Sequence, residues 1–254
     1  MSIPLIANDT RGIRYSHANA TSFGRGYDWH RLHAAAIDRN FKTVSSVSPK
    51  MPAKMLHKRI FDVILASTLI VILSPMLIAI SVLLWIEGRP IFFAHRRIGA
   101  NGNAFKCWKF RSMIPNADQV LERLLATDSV ARAEWNKDFK LRNDPRVTRL
   151  GRVLRATSLD ELPQLFNVLA GDMSIVGPRP IVSDEIKRYG AAYHEYTRCR
   201  PGITGIWQVS GRNDVGYRER VQLDQEYARQ WSFWNDCVIL LKTPMAVLQR
   251  SGAY

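Results

Sequence analysis

The stretch FDVILASTLIVILSPMLIAISVLLWI, residues 61–86, constrains this chain more than anything else in it. Of its 26 residues 20 are apolar, and its only charge is Asp62, at the edge. A core helix of a globular domain usually carries a polar stripe and runs shorter. At about 1.5 Å per residue this segment reaches ~39 Å, more than the ~30 Å hydrocarbon core of a bilayer. It is therefore expected to insert into lipid. Ser74-Pro75 lies near the middle, where proline removes a backbone donor and kinks a helix. Lys50, Lys54, Lys58 and Arg59 precede the stretch without an acid; Arg89, Arg96, Arg97, Lys106, Lys109 and Arg111 follow it, against Glu87 alone. Basic flanks stay cytoplasmic, so both ends ask for the same side. A kinked single span satisfies one flank; a helix broken at Ser74-Pro75 that enters and leaves by one face satisfies both. Each half (14 residues before Pro75, 11 after) is too short to cross alone, and the Ser74 hydroxyl is at hand for backbone groups freed at the break. Both geometries stay open on these grounds.

Across 254 residues, 36 Lys and Arg against 22 Asp and Glu leave a net charge of +14. That excess points to an anionic partner: nucleic acid, an acidic membrane surface or a phosphorylated substrate. A content of 46% hydrophobic and 23% charged residues excludes a wholly disordered chain, a collagen and a multi-span membrane protein. Cys107, Cys199 and Cys237 form no C-x-x-C pair, which excludes a disulfide scaffold and fits a reducing compartment. No G-x-G-x-x-G, P-loop or G-x-S-x-G motif occurs. His30-x-x-His33 has no cysteine partners for a zinc set.

Residues 1–50 lack sustained periodicity and have no basic end leading into an apolar core, so no secretory signal is read there. A mobile tail is expected, with a short helix around Trp29–Phe41. Residues 51–254 are expected to form one membrane-associated domain, α+β and mainly helical, its membrane helix at about 58–86. A hairpin of Ile91-Phe92-Phe93 and Ala104–Phe110 turns at Gly99-Ala100-Asn101-Gly102. Helices are predicted over Asn116–Leu141, from near Ser158 to Ala170, and over Ser183–Tyr193. Val176-Gly177-Pro178-Arg179-Pro180 reads as a tight loop, Pro201-Gly202 as a turn and Thr204–Val209 as a strand. A last helix sets Trp231, Phe233 and Trp234 beside Val238–Leu241, an arrangement that suits the membrane interface or a core equally.

An acidic pair in a basic setting carries the chemistry: Ser158-Leu159-Asp160-Glu161-Leu162-Pro163. Ser158-x-x-Glu161 matches a helix capping box, and that plain structural reading stands beside a chemical one. Its flaw is Pro163, which would forfeit a backbone bond inside the helix. A helix starting slightly later still leaves Asp160 at its positive end, where a carboxylate stays ionised and a phosphate can bind. An ionised carboxylate facing a phosphate is what a covalent phospho-aspartyl step requires. Lys109 and Arg111 alternate on one strand face. Arg146, Arg149, Arg152 and Arg155 lead into the pair at three-residue spacing. Arg179 sits between two prolines, Arg200 precedes Pro201-Gly202, and Arg212 precedes Asn213-Asp214. Any one of these suits a solvated face, but guanidinium forks fixed in rigid loops suit phosphate oxygens. The candidate phosphate-binding set is Lys109, Arg111, Arg146, Arg155, Arg179, Arg200 and Arg212.

Several stretches, in order, resemble the bacterial sugar transferases, the monotopic polyprenyl-phosphate phosphoglycosyl transferases. They are Lys58–Asp62 through Leu73-Ser74-Pro75, Lys106–Met113, Asn143–Thr148, Ser158–Leu165, Val176–Pro180 and Arg200–Gly205. The resemblance covers about residues 55–254. Within the family, Gly211–Val215 and Arg250–Tyr254 are similar to the ExoY-type exopolysaccharide initiating proteins. The resemblance implies a re-entrant helix broken at Ser74 and Pro75, holding a small interfacial catalytic domain on the cytoplasmic face of a bacterial inner membrane. It implies catalysis by Asp160 and Glu161: the aspartate attacks the β-phosphate of a UDP-sugar, expels UMP and holds a phosphosugar, which undecaprenyl phosphate then takes. Mg²⁺ is implied as cofactor with Asp160 as its ligand, and the role of Glu161 is left open. The sugar is expected to be galactose 1-phosphate, with glucose 1-phosphate as the alternative. Expected partners are UDP-sugar, undecaprenyl phosphate and anionic lipid, with a homo-oligomer open. A membrane-tethered nucleic-acid-binding protein is the rival class, and no helix-turn-helix, RNP or zinc-finger pattern supports it.

Overall fold

The apolar stretch folds as one helix, α1 (Leu56–Glu87), in the computed structural model, which describes residues 51–138, 141, 143–211 and 216–248. The expected tail, its helix around Trp29–Phe41, His30 and His33, Arg212 and Arg250–Tyr254 lie outside the described residues. Helix α1 continues through Pro75. Proline there withholds an N–H from the carbonyl of Val71, and the Ser74 hydroxyl donates to that same carbonyl at 2.8 Å. The helix is long and apolar enough to cross a membrane, and only 17% of its most apolar stretch is buried inside the protein.

Its buried residues fall at two ends: Lys58, Asp62 and Ala66, then Ile80 and Leu84. At the first end Lys58 Nζ donates to Asp236 Oδ2 at 2.6 Å and to the Val176 carbonyl at 3.0 Å. Asp62 Oδ1 accepts from the Ser174 hydroxyl and the Ile175 N–H, both at 3.0 Å. Asp236 also accepts from Trp231 Nε1 at 3.0 Å and the Tyr227 hydroxyl at 2.9 Å. Such a buried pair persists because its remaining lone pairs are filled. At the other end Ile80 and Leu84 pack on Phe110 and Leu154, and Arg111 caps the helix by donating to the Gly88 carbonyl at 2.9 Å. Both ends of α1 are thus fastened to one body, while residues 71–79 include no buried side chain.

The expected hairpin forms from β1 (Phe92–Ile98) and β2 (Ala104–Phe110), antiparallel, with Phe92 opposite Phe110 and Ile98 opposite Ala104. The turn at Gly99–Gly102 holds Asn101 at φ 56°, a conformation asparagine tolerates well. β1 runs five residues beyond Phe93, so His95, Arg96 and Arg97 belong to it. The single helix expected over 116–141 is two, α2 (Ala117–Thr127) and α3 (Ser129–Asp138). Asp128 divides them: its Oδ1 accepts from the Val130 and Ala131 N–H groups at 2.8 and 3.0 Å and so starts α3.

Helix α4 (Arg149–Ala156) is capped by Thr148, whose hydroxyl accepts from the Gly151 N–H at 2.9 Å. The capping box at Ser158 does not form. Ser158 takes a left-handed conformation, φ 58°, with no side-chain cap bond, and leads into a 3-10 turn, Leu159–Glu161. The following helix α5 (Gln164–Ala170) begins only after Pro163, which settles the conflict that proline posed. α5 ends at Gly171, φ 94°, with its last carbonyls held by Arg59 and Arg200.

Two short parallel strands, β3 (Ser174–Val176) and β4 (Gly202–Thr204), make the second sheet. A Cβ on Gly177 would lie 2.3 Å from the Arg200 carbonyl oxygen, so only glycine allows this approach. The strand expected over Thr204–Val209 therefore lies earlier, and Ile206–Val209 is a helical turn. The helix expected over 183–193 is a succession of short turns through Thr197. Helices α6 (Tyr217–Arg229) and α7 (Phe233–Leu248) close the described chain. Trp231 joins the core, while Trp234 and Leu241 on α7 stand exposed. The architecture is α+β and mainly helical, as expected.

Candidate active site

Leu159 and Leu162 face the Ile80–Leu84–Phe110–Leu154 cluster, which anchors the 3-10 turn from one side. Asp160 and Glu161, between them, meet Lys109 of β2. Lys109 Nζ lies 2.6 Å from Glu161 Oε1 and 3.7 Å from Asp160 Oδ2. Asp160 is 7% exposed, and burial pushes its carboxyl up to about 6; Lys109 opposes that rise, Glu161 adds to it and Arg155 opposes it. The helix end expected at Asp160 is corrected, since no α-helix starts there; burial raises the carboxyl against the nearby cations, and at about 6 it is still mostly ionised at neutral pH. Burial alone would lower Lys109, but Glu161 and Asp160 more than offset this, and the lysine stays firmly charged. The neighbouring Cys107 thiol, pushed up to about 11 by burial, is no nucleophile at neutral pH.

The expected cations separate into two groups. Arg155 belongs with the dyad: it acts on Asp160, and its Nε donates to the Ser112 hydroxyl at 2.8 Å. Arg179 also stands near, close enough to repel the Lys109 charge, with its guanidinium 5.4 Å from the centre of the Trp207 ring. Three others are engaged elsewhere. Arg111 is buried against the end of α1, within reach of Leu84, Gly88 and Glu87. Arg146 forks onto Asp144 at 2.7 and 2.8 Å and lies over the Trp135 ring. Arg200 donates to the Gly171 carbonyl at 2.9 Å, beside Arg59 and Asp62. These guanidiniums each meet protein oxygens, away from the dyad's immediate neighbours.

Arg97 was not among the expected residues, yet it stands on the hairpin face that carries Lys109, and its charge feels that of Arg179. The hairpin register around Gly99–Gly102 is the signal that reveals it. Among the described residues no three His, Cys, Asp or Glu side chains converge as a metal cluster. The turn offers two carboxylates, a donor set that suits Mg²⁺ when substrate phosphate and water complete the shell.

Beside the turn runs an apolar groove of about 350 Å³. Leu77, Ile78, Ser81, Val82 and Trp85 of α1 form one wall, and Ile91, Phe92, Phe110 and Phe166 the other. A paired carboxylate dyad, a lysine bridging it and loose arginines around it can hold phosphate and present a nucleophile.

Comparison with known proteins identifies the family. The family model described as bacterial sugar transferase matches residues 53–250. The chain is 55% identical over 197 residues to the undecaprenyl-phosphate galactose phosphotransferase of Salmonella typhimurium, covering 78% of this chain and 41% of that protein. It thus spans less than half the length of that relative. With the exopolysaccharide production protein ExoY of Rhizobium meliloti it shares 49% identity over 204 residues, 80% of this chain and 90% of that one. With the UDP-glucose:undecaprenyl-phosphate glucose-1-phosphate transferase of Caulobacter vibrioides it shares 38% over 208 residues, 78% and 72% of the two chains. The order of motifs, the dyad they build and a match over most of the chain lead to one conclusion: the chain belongs to the bacterial sugar transferase family.

Proposed function

We propose that this protein transfers galactose 1-phosphate from UDP-galactose to undecaprenyl phosphate, releasing UMP, as the first step of exopolysaccharide repeat-unit assembly. The observation that carries the reading is Asp160, a buried carboxylate bridged by Lys109 and ringed by cations on a body fastened to both ends of an apolar helix. In the first half-reaction an Asp160 oxygen bonds to the β-phosphorus. The bond from that phosphorus to the bridging oxygen breaks, and UMP leaves with the electron pair. In the second, the phosphate oxygen of the lipid bonds to the same phosphorus and Asp160 is released. Lys109 orients both carboxylates, and Arg155 steadies Asp160 in its charged form. Asp160, with Glu161 beside it, would hold Mg²⁺ together with substrate phosphate, where the ion supplies neutralisation of phosphate charge.

The membrane arrangement follows from α1. A helix whose two ends are both fastened to one globular body is poorly suited to crossing a bilayer, which favours entry and exit by the same face. Pro75 and the Ser74 hydroxyl on the Val71 carbonyl make a bend in lipid affordable in hydrogen bonds. Residues 51–254 would then sit on the cytoplasmic face of the inner membrane, with the whole chain's net charge of +14 drawn to anionic headgroups. The exposed Trp234 and Leu241 suit an interfacial α7, and the groove along α1 suits an isoprenoid chain.

The test is transfer of labelled sugar phosphate into organic-extractable lipid, with purified protein, Mg²⁺, undecaprenyl phosphate and UDP-galactose or UDP-glucose in parallel. Label entering lipid from UDP-galactose is expected. Label from UDP-glucose alone would make glucose 1-phosphate the transferred group, as the name of the Caulobacter relative suggests. No label from either donor would refute the proposal.

A further inference from the structure

Arg97 and Arg179 stand close enough to feel each other's charge, and Arg179 also acts on Lys109. Arg97 donates from Nη1 to the Pro180 carbonyl at 3.2 Å, which sets its guanidinium against the Pro178–Pro180 turn. Arg179 forms the centre of that turn. Its guanidinium lies on the Trp207 ring, and among the described residues no protein oxygen takes a hydrogen bond from it. None of its donors is sealed from solvent, so an incoming anion can reach them. The two arginines also crowd each other: the charge of Arg97 is disfavoured first by burial and next by Arg179. Glu185, 4.0 Å from Arg97, is already engaged by Arg220 at 2.9 Å, and the buried Asp224 feels the Arg179 charge.

The turn that carries Arg179 is held rigidly. Asp224, 2% exposed, accepts from the Tyr189 hydroxyl at 2.7 Å, and the Arg179 backbone amide favours its charged form. The Gly177 N–H donates to the Thr204 carbonyl at 2.9 Å, tying the turn's start to β4. A preformed pair of guanidiniums near Lys109 suits an anion.

We infer that Arg97 and Arg179 form the seat of the leaving phosphate, the α-phosphate of the donor nucleotide. This rests on the reading of Asp160 as nucleophile and names the part of the same site that receives the departing group. When the β-phosphorus passes to Asp160, the bridging oxygen keeps the electron pair and the α-phosphate gains a negative charge. Lys109 is occupied by the dyad carboxylates, so that charge falls to the two arginines beyond it.

Equilibrium binding of UMP and of uridine to the purified full chain tests the assignment. The wild-type protein should bind UMP about tenfold or more tightly than uridine, since hydrogen bonds to charged groups contribute on this scale. Arg97→Gln and Arg179→Gln should each lower UMP affinity by about tenfold and leave uridine affinity unchanged. Loss of both ligands in a variant would mark damage to the fold, and Arg97→Lys or Arg179→Lys, which retain charge, should then restore part of the UMP preference. An unchanged ratio of UMP to uridine affinity in both glutamine variants overturns the inference, as does a wild-type protein that gains nothing from the phosphate. AMP bound as tightly as UMP, with the same loss in the variants, would keep the seat and overturn UDP-sugar as donor.

Discussion

Replacing Lys109 with methionine removes the cation that touches both dyad carboxylates. Burial holds the Asp160 carboxyl up at about 6, and Lys109 is the leading influence against a further rise. A carboxyl titrating there is ~90% ionised at pH 7. An opposite charge within ~4–6 Å lowers a carboxyl by 1–3 units. The low end applies here, because Asp160 Oδ2 is 3.7 Å from Lys109 and the lysine side chain is 29% exposed. Losing Lys109 therefore raises Asp160 by about one unit, or ~1.4 kcal/mol of lost support for the charged form. The ionised fraction at pH 7 falls to about half. In the proposed mechanism the attacking form is the deprotonated one, so activity should rise with pH as Asp160 loses its proton. The acid limb of sugar-phosphate transfer, near pH 6 in the wild type, should move upward by about one pH unit in Lys109→Met. The assay is the pH profile of label transfer into lipid, run on both proteins across the acid and neutral range. A lower maximum with the acid limb at an unchanged pH would refute the reasoning, since Lys109 would then support activity without holding the charge of Asp160.

Other perturbations reach the scaffold. Asp236→Ala strands the buried Lys58 ammonium and should cost about 3–5 kcal/mol in denaturant unfolding; a stability within error of the wild type would contradict the anchoring role given to this pair. In Gly151→Ala the new Cβ would lie 2.0 Å from the Ser112 carbonyl oxygen, so α4 must shift. A loss of about 1–3 kcal/mol is expected, together with reduced transfer because Arg155 moves with α4. In the wild type, cysteines placed on both flanks of α1 should label from the cytoplasmic side. In Pro75→Ala the Val71 carbonyl regains a backbone donor, and the second flank should become reachable from outside; a wild-type flank reachable only from outside would refute re-entry.

Local chemistry made part of this structure legible in the sequence. The hairpin was readable because Asn101 and its flanking glycines supply a turn that few residues can make. Ser74 was readable as the partner of a carbonyl freed by Pro75, since the two are adjacent. Asp160 and Glu161 were readable as a pair, but their setting was not. Pro163 signalled a conflict with the capping box, and its resolution through a left-handed Ser158 depends on Leu159 and Leu162 finding the cluster around Phe110.

Side-chain pairing, much of it long-range, hid the rest. A sequence cannot distinguish a guanidinium left for substrate from one spent on protein oxygens. Arg111, Arg146 and Arg200 looked equivalent to Arg155 and Arg179, yet α1, Asp144 and α5 claim them. Arg97 was overlooked for the opposite reason: His95-Arg96-Arg97 reads as a basic flank until the register with β2 places it on the face of Lys109. The Lys58–Asp236 pair joins residues 178 positions apart, beyond the reach of any local pattern.

The central claim is that Asp160 carries the phosphosugar. It is tested most directly by measuring UMP released from UDP-galactose by purified protein with Mg²⁺ and no lipid acceptor. A burst approaching one UMP per enzyme is expected, absent in Asp160→Asn, whose membrane association should be unchanged. UMP release that begins only when undecaprenyl phosphate is added would contradict it, because transfer would then be direct and Asp160 no nucleophile.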